Sequence, residues 1–273
     1  MRIAAGLVPV SASLVAFAAG VAGQGTIAER INRSQGTVRF SYAAKPGVCG
    51  DGAATIYVRD GANGRRVTIH GDGWNMSSSK YADEWMPLCN EGPVRIALTV
   101  EQGTVTSLRT YVAGEWQPRS GITDLGRIGA RQAADYLLRL AESGSSRISS
   151  SAIFAATLAD SVQAAQRLLQ IARNQDVPRN ARRNAVFWLG QEAAEVATAG
   201  LREIIDSDDE LEVREQAVFA LSQRPADESV PALITLIRRD NVDPRIKKKA
   251  LFWLGQKDDA RALALFEEIL TRK

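Results

Sequence analysis

The residues best equipped for chemistry lie close together in the first half of the chain. His70-Gly71-Asp72, followed by Ser77 to Ser79, supplies the three residue types of a serine hydrolase, in which an imidazole takes the hydroxyl proton and a carboxylate orients the imidazole. Nothing completes that machinery. His70 is the one histidine of the chain, the serines sit in no Gly-x-Ser-x-Gly elbow, and no segment is placed to form an oxyanion hole. A strand-end histidine beside a turn aspartate reads as surface, and no catalytic residue is assigned. One histidine and two cysteines, Cys49 and Cys89, also cannot assemble a zinc cage. The Asp-Gly pairs at 51–52, 60–61 and 72–73 fit neither an EF-hand loop nor a glycine-rich nonapeptide repeat. They read as turns, where glycine accepts the positive φ that such corners require. No metal and no cofactor is expected.

Those residues belong to a segment of period two. Thr37 to Tyr42, Ala54 to Val58 and Arg66 to His70 alternate, and Val94 to Val100, a Gln102-Gly103 turn and Thr104 to Val112 read as a hairpin. The pattern predicts an antiparallel sheet of about five strands with Phe40, Tyr42, Trp74, Trp85 and Trp116 among its aromatic residues. Ahead of it, Met1-Arg2 and an apolar run from Ile3 to Ala22, ending in small residues, form a secretory signal over residues 1–23. Cleavage after Ala22 or Gly23 is expected, with an uncleaved membrane anchor as the alternative. The mature protein is then exported, periplasmic or secreted, and no later segment reaches the length of a membrane span. In an oxidising compartment Cys49 and Cys89 are the only possible intramolecular pair, and a disulfide between them is expected.

The chain has 273 residues, 45% hydrophobic and 24% charged, enough for a sizeable core and too ordered in composition for wholesale disorder. Lys and Arg number 34 against 31 Asp and Glu, a net charge of +3, which argues against a dedicated nucleic-acid or membrane-surface binder.

Beyond Gly121 the alternation stops and helical periodicity begins. Gly129 to Ala141 reads as one amphipathic helix, followed by a Ser/Gly loop. A unit then recurs four times: Ala152-Ile-Phe-Ala-Ala, Ala185-Val-Phe-Trp-Leu-Gly-Gln, Ala217-Val-Phe-Ala-Leu-Ser-Gln and Ala250-Leu-Phe-Trp-Leu-Gly-Gln, spaced 33, 32 and 33 residues apart. Leu168, Leu201, Leu233 and Phe266 form a second column, and Ile171, Ile204, Leu236 and Ile269 a third. Columns in register at one period mark a solenoid of helix pairs.

Val213-Arg214 with Ala217 to Leu221, and Asp243-Pro244 with Lys247 to Ala250, resemble the HEAT repeat, in the short form similar to the phycobilisome-lyase-like subgroup. The resemblance covers roughly residues 145–273. Its first unit departs most, with Ser149 in place of the basic residue and Thr157-Leu158 in place of Gly-Gln. The resulting fold class is a two-domain chain: a small all-β, antiparallel, disulfide-tied domain over 24–120, a linker and capping helix over 121–146, and an all-α HEAT-like solenoid over 147–273.

Helix geometry singles out one column. With Ala185 facing the partner helix, about 100° per residue puts Phe187 about 200° round, on the opposite face. The same holds for Phe154, Phe219 and Phe252. These phenylalanines either form an outward apolar stripe for a partner or tilt sideways between adjacent first helices. The next column, Ala155, Trp188, Ala220, Trp253, alternates small and large and reads as packing between repeats. On the second helices the outer face carries Gln163, Gln166, Gln170, Arg173, Glu203, Asp206, Thr235, Arg238, Arg261 and Glu268. The resemblance places second helices on a concave surface, which would make this a mixed polar groove suited to a protein or peptide rather than a polyanion. The candidate partner-binding residues are therefore Phe154, Phe187, Phe219, Phe252, Gln170, Arg173, Glu203 and Arg238.

The expected function is an exported, non-enzymatic scaffold or adaptor that binds another protein through its solenoid, without nucleic acid as a partner. Two alternatives stand beside it. The β-domain could bind a ligand or glycan while the solenoid presents it, a reading that Trp74, Trp85 or Trp116 exposed around a cleft would favour and burial of all three would remove. The HEAT resemblance also admits a lyase-type enzyme, although export separates such enzymes from their cytosolic substrates.

Overall fold

Alternation in the first half and 3.6-residue periodicity in the second are realised as two β-sheets followed by a stack of helix pairs. The computed structural model describes residues 25–53, 55–59, 66–70, 73–78, 89–160, 164–192, 195–208 and 210–271. The expected signal 1–23, the side chains of His70, Asp72, Trp74, Trp85 and Ser77 to Ser79, and Gln163 lie outside what is described. Among the described residues no helix is long and apolar enough to cross a membrane.

A short helix, α1 (Ile27–Asn32), opens the fold. Its first turn is closed by a capping box: the Glu29 amide donates to Thr26 Oγ1 at 3.3 Å and the Thr26 amide to Glu29 Oε2 at 3.1 Å. Then come β1 (Gly36–Tyr42), β2 (Val48–Gly50), β3 (Thr55–Arg59), β4 (Arg66–His70), β5 (Gly73–Ser78), β6 (Asn90–Glu91), β7 (Val94–Glu101), β8 (Thr104–Val112) and β9 (Ile122–Arg127). They form a four-stranded sheet of order β8-β7-β1-β9 and a five-stranded sheet of order β5-β4-β3-β2-β6. The β7–β8 hairpin turns at Gln102 and Gly103, whose φ values of 51° and 76° match the right-handed twist of the flanking strands. Cys49 in β2 and Cys89 beside β6 form the disulfide, their Cα atoms 5.3 Å apart.

Two points differ from the expectation of one antiparallel sheet ending near residue 120. The strands divide between two sheets, and the supposed linker begins with β9, which pairs parallel with β1 at the sheet edge. A parallel partner requires a crossover, and residues 113–121 supply it.

The helical part comprises α2 (Ala130–Ser143), then the pairs α3 (Ser146–Thr157) and α4 (Ala165–Arg173), α5 (Arg179–Gln191) and α6 (Glu195–Ser207), α7 (Leu211–Ser222) and α8 (Ala226–Arg238), and α9 (Pro244–Gly255) and α10 (Ala260–Thr271). First helices pack in the series α3, α5, α7, α9 and second helices in the series α4, α6, α8, α10. Gly190 lets α5 and α7 approach: a Cβ there would lie 2.8 Å from the Ala220 Cβ.

The two parts share one core. Val38, Phe40 and Tyr42 of β1, with Val94, Ile96, Leu98 and Val100 of β7, are buried on one face of the four-stranded sheet. That face meets α2 and α3. Phe40 and Tyr136 make an edge-to-face contact at 6.4 Å. The Tyr42 hydroxyl, fully buried, donates to the Ala155 carbonyl at 2.5 Å. Beside it Ala44 and Ala159 form an antiparallel bridge, with the Lys45 amide donating to Leu158 O at 2.8 Å and the Asp160 amide to Ala43 O at 2.9 Å.

Side chains in one repeat column close the carbonyl ends of the preceding helices. Ser149 Oγ donates to Ala141 O at 2.7 Å, Arg182 Nε to Ala172 O at 3.0 Å, and Arg214 Nε to Ile205 O at 2.7 Å. Ser149 therefore does for α2 what the arginines do later, and α2 takes the place of a preceding second helix. Arg182 is almost fully buried and also donates to Asp208 and Glu210.

Tyr42→Phe is expected to lower stability by about 1–2 kcal/mol in urea unfolding, because it strips a buried hydrogen bond at the seam. Far-UV circular dichroism and tryptophan fluorescence should report one coincident transition; two separate transitions would mean that sheet and helices do not share a cooperative core. Arg182→Met should cost about 3–5 kcal/mol, since it leaves the buried Asp208 carboxylate without its cation, and adding Asp208→Asn should recover part of that loss.

Candidate interaction surfaces

The phenylalanine column is a ladder between repeats. Trp188 lies between Phe154, with ring centroids 5.4 Å apart, and Phe187, at 5.2 Å. Phe187 stacks on Phe219 at 6.2 Å, and Trp253 bridges Phe219 and Phe252, each at 4.9 Å. Exposure rises along the series: Phe154 is 5% exposed, Phe187 and Phe219 are half-buried, and Phe252 is 56% exposed. Of the two readings left open by the helical wheel, sideways packing describes the first three positions. An outward apolar surface survives only at Phe252.

The polar column of the second helices is largely occupied by its own members. Arg173 of α4 pairs with Glu203 of α6, Arg239 just past α8 with Asp206 of α6 at 2.7 Å, and Arg238 of α8 with Glu268 of α10 at 2.6 Å. Gln170 accepts from Arg167 at 3.0 Å. Arg261 donates to Asp259 and to the Ala226 carbonyl, and its hydrogen bond holds the Asp259 carboxyl down at about 2. Exposed pairs of this kind contribute little each, about 0–1 kcal/mol, but they neutralise the layer locally. A depression of about 90 Å³ between α6 and α8, lined by Ile205, Leu236 and Arg239 among others, is too small for more than a few water-sized groups.

The outer side of α10 is different. Leu263 and Leu270 are 63% and 84% exposed. Their repeat equivalents are Ala165, Thr198 and Val230 in one column and Ala172, Ile205 and Ile237 in the other. Ala165, Val230, Ala172 and Ile205 are buried, and Ile237 packs partly against the core. The inner repeats thus bury or half-bury these columns, while among the described residues nothing covers them on α10. With the half-buried Phe266 between them at i+3 and i+4 spacing, the two leucines make one apolar stripe on the helix.

The four-stranded sheet presents a second surface, on the face away from α2 and α3. Register aligns Asp124 of β9, Arg39 of β1, Ala97 of β7 and Arg109 of β8 in one cross-strand row, and Ser41, Arg95 and Tyr111 in the next. The small Ala97 between two arginines leaves a groove of about 620 Å³, roofed on one side by Glu115, Trp116, Gln117 and Arg119 of the crossover. Arg39 donates to Asp124 Oδ2 at 2.8 Å and to Gln117 O at 3.0 Å. Burial works to raise the Asp124 carboxyl, but the Gly126 amide and Arg39 outweigh it and hold it below the usual range. Arg39 and Arg95 lie over the Trp116 ring at 5.3 and 4.7 Å, and Arg95 also faces Tyr111 at 5.5 Å. Arg95 is 5% exposed; its Nη2 donates to Gly52 O at 2.6 Å, and its Nε has no hydrogen-bond partner among the described residues. Burial pulls its pKa below the usual range, with Tyr111 acting in the opposite direction.

Of the groove residues the sequence pointed only to Trp116, as an aromatic that could line a ligand cleft of the β-domain, and to none of the arginines. The signal for the arginines is their recurrence at outward positions of β1, β7 and β8, which alone reads as ordinary solvated surface. Of the residues that were singled out, the structure joins the four phenylalanines in one ladder, and it pairs Arg173 with Glu203 and Arg238 with Glu268. Among the described residues, no group of three or more His, Cys, Asp or Glu side chains is arranged to hold a metal ion.

The family model for HEAT repeats covers residues 165–247 and, overlapping it, residues 198–273. No curated protein matches the chain. The family match begins at α4 and leaves out α3, the helix in which Ser149 stands in the arginine column and the Gly-Gln pair is missing. From residue 165 onward, then, the stacked helix pairs of this chain are HEAT repeats.

Proposed function

We propose that the chain is an exported, non-enzymatic adaptor, and that it binds a helical segment of another protein, which continues the repeat stack on α10. The observation that carries this reading is the exposure of Leu263 and Leu270 in columns that the inner repeats bury against the next pair. A partner helix with apolar residues at i, i+3 and i+7 fits such a surface as the next repeat would. Covering the two leucines contributes about 1.5–3 kcal/mol each before association costs. HEAT arrays serve widely as protein-binding scaffolds, which supports the same class of function. The Cys49–Cys89 disulfide supports an oxidising, exported setting. The paired charges of the second-helix layer favour a protein over a polyanion there.

Placing a photo-crosslinking amino acid at Leu263 in the full chain should capture a helical segment of another protein from the native envelope or secreted fraction. Leu263→Ser with Leu270→Ser should abolish capture while far-UV circular dichroism stays unchanged. Crosslinks confined to other copies of this chain, or capture that survives the double substitution, would defeat the proposal. By contrast, Phe187→Ser with Phe219→Ser should melt the solenoid, costing about 2–4 kcal/mol, because those rings pack between helices.

A further inference from the structure

Arginines gather on the outer face of the four-stranded sheet with few carboxylates beside them. Four arginines line that groove, and the Arg39–Asp124 pair accounts for one of them. Arg109 and Arg119 are exposed and have no ion-pair partner among the described residues, and the one acidic side chain lining the groove is Glu115. Arg95 is the more telling member. The residue is only 5% exposed, its guanidinium leans on two aromatic rings, and among the described residues it has one carbonyl as hydrogen-bond partner and no ion-pair partner. A buried guanidinium of this kind costs several kcal/mol in desolvation unless an anion compensates it. The groove's volume falls in the range of ligand-binding clefts.

We propose that this groove binds an acidic peptide segment, whose Asp or Glu carboxylates pair with Arg109 and Arg119 and approach Arg95 from the open side. Guanidinium forks match carboxylates in bidentate geometry, which an ammonium cannot reproduce. The hydroxyls of Thr37, Thr99 and Ser107 along the floor can bond a peptide backbone, and Ala97 and Ile122 leave room for small apolar side chains. A ligand that binds by ring stacking fits less well. The Trp116 ring is already engaged by two guanidiniums and meets Tyr111 edge-on at 5.9 Å, so it presents no bare platform to a sugar or a base. This site shares no residue with the α10 surface, and either reading can fail without the other.

The test uses the full chain with its disulfide intact and a fluorescein-labelled peptide of alternating Glu and Ala, followed by fluorescence polarisation. Saturable binding is expected, weakening with added salt and absent for the matching Gln/Ala peptide. Arg109→Ala and Arg119→Ala, both at exposed positions, should each weaken binding roughly tenfold with an unchanged circular dichroism spectrum. Arg109→Lys should recover only part of the loss, because charge returns without the fork. Absence of binding, equal binding of the Gln/Ala peptide, or full affinity in both alanine variants would overturn the proposal. Displacement of the peptide by an oligouronide that binds more tightly would overturn it in favour of an anionic polysaccharide.

Discussion

The rest of the fold depends on the seam where the buried face of the four-stranded sheet meets α2 and α3. A sheet with one apolar face must cover it, and a solenoid must close its first apolar face. Here each solves the other's problem. Phe40 packs on Tyr136, the Tyr42 hydroxyl reaches a carbonyl of α3, and the Ala44–Ala159 bridge clips the connecting loop of the first repeat to the segment after β1. The disulfide lies in the other sheet, between β2 and the segment entering β6. It therefore secures the five-stranded sheet, while hydrophobic contact and backbone hydrogen bonds hold the seam. Description as two domains fits composition and topology, but the hydrophobic core runs without a break from β1 through α2 into the repeats.

Within the repeats, stacking rests on two layers of contact with different chemistry. Between first helices the contact is aromatic and largely dry, with Trp188 and Trp253 each filling the gap between phenylalanines of neighbouring helices. Between second helices it is ionic and exposed, a series of Arg–carboxylate pairs that add little energy but discourage misregistered stacking. Buried Arg182 and Arg224 and half-buried Arg214 tie carbonyls at the ends of one helix to the start of another. The graded exposure of the ladder, from Phe154 to Phe252, follows from position alone: each ring is covered by its successor, and Phe252 has none among the described residues.

How much of this could be read beforehand depended on how local the determining physics was. The β7–β8 hairpin was legible because Gln102-Gly103 sets the turn and the flanking strands alternate. The repeats were legible because three columns recur in register. Strand β9 was not, because its partner lies 85 residues away, it runs parallel at an edge, and Ile122 to Arg127 carries charge and a glycine where a central strand would be apolar. The phenylalanine column was half legible. A helical wheel gives the angle of Phe187 but not the distance to the next first helix, and that distance decides between a stripe and a ladder. Of the groove only Trp116 was in view, as a possible cleft aromatic, since Arg39, Arg95 and Arg109 become neighbours only through strand register and Trp116 joins them only through the crossover.

The near-balance of 34 basic against 31 acidic residues conceals an uneven distribution. In the helical part several arginines pair with carboxylates of adjacent repeats, which neutralises charge locally along the solenoid. In the sheet groove Asp124 neutralises Arg39, but the register neighbours of Arg95 and Arg109 are serine, tyrosine and alanine, residues that cannot neutralise them. Burying Arg95 there is costly for folding, and cation–π contact with Trp116 and Tyr111 offsets only a part, about 0.5–2 kcal/mol per contact. A net charge near zero therefore excludes a uniformly basic surface, but not a concentrated one. Local pairing, rather than the total, determines where an anion would be drawn.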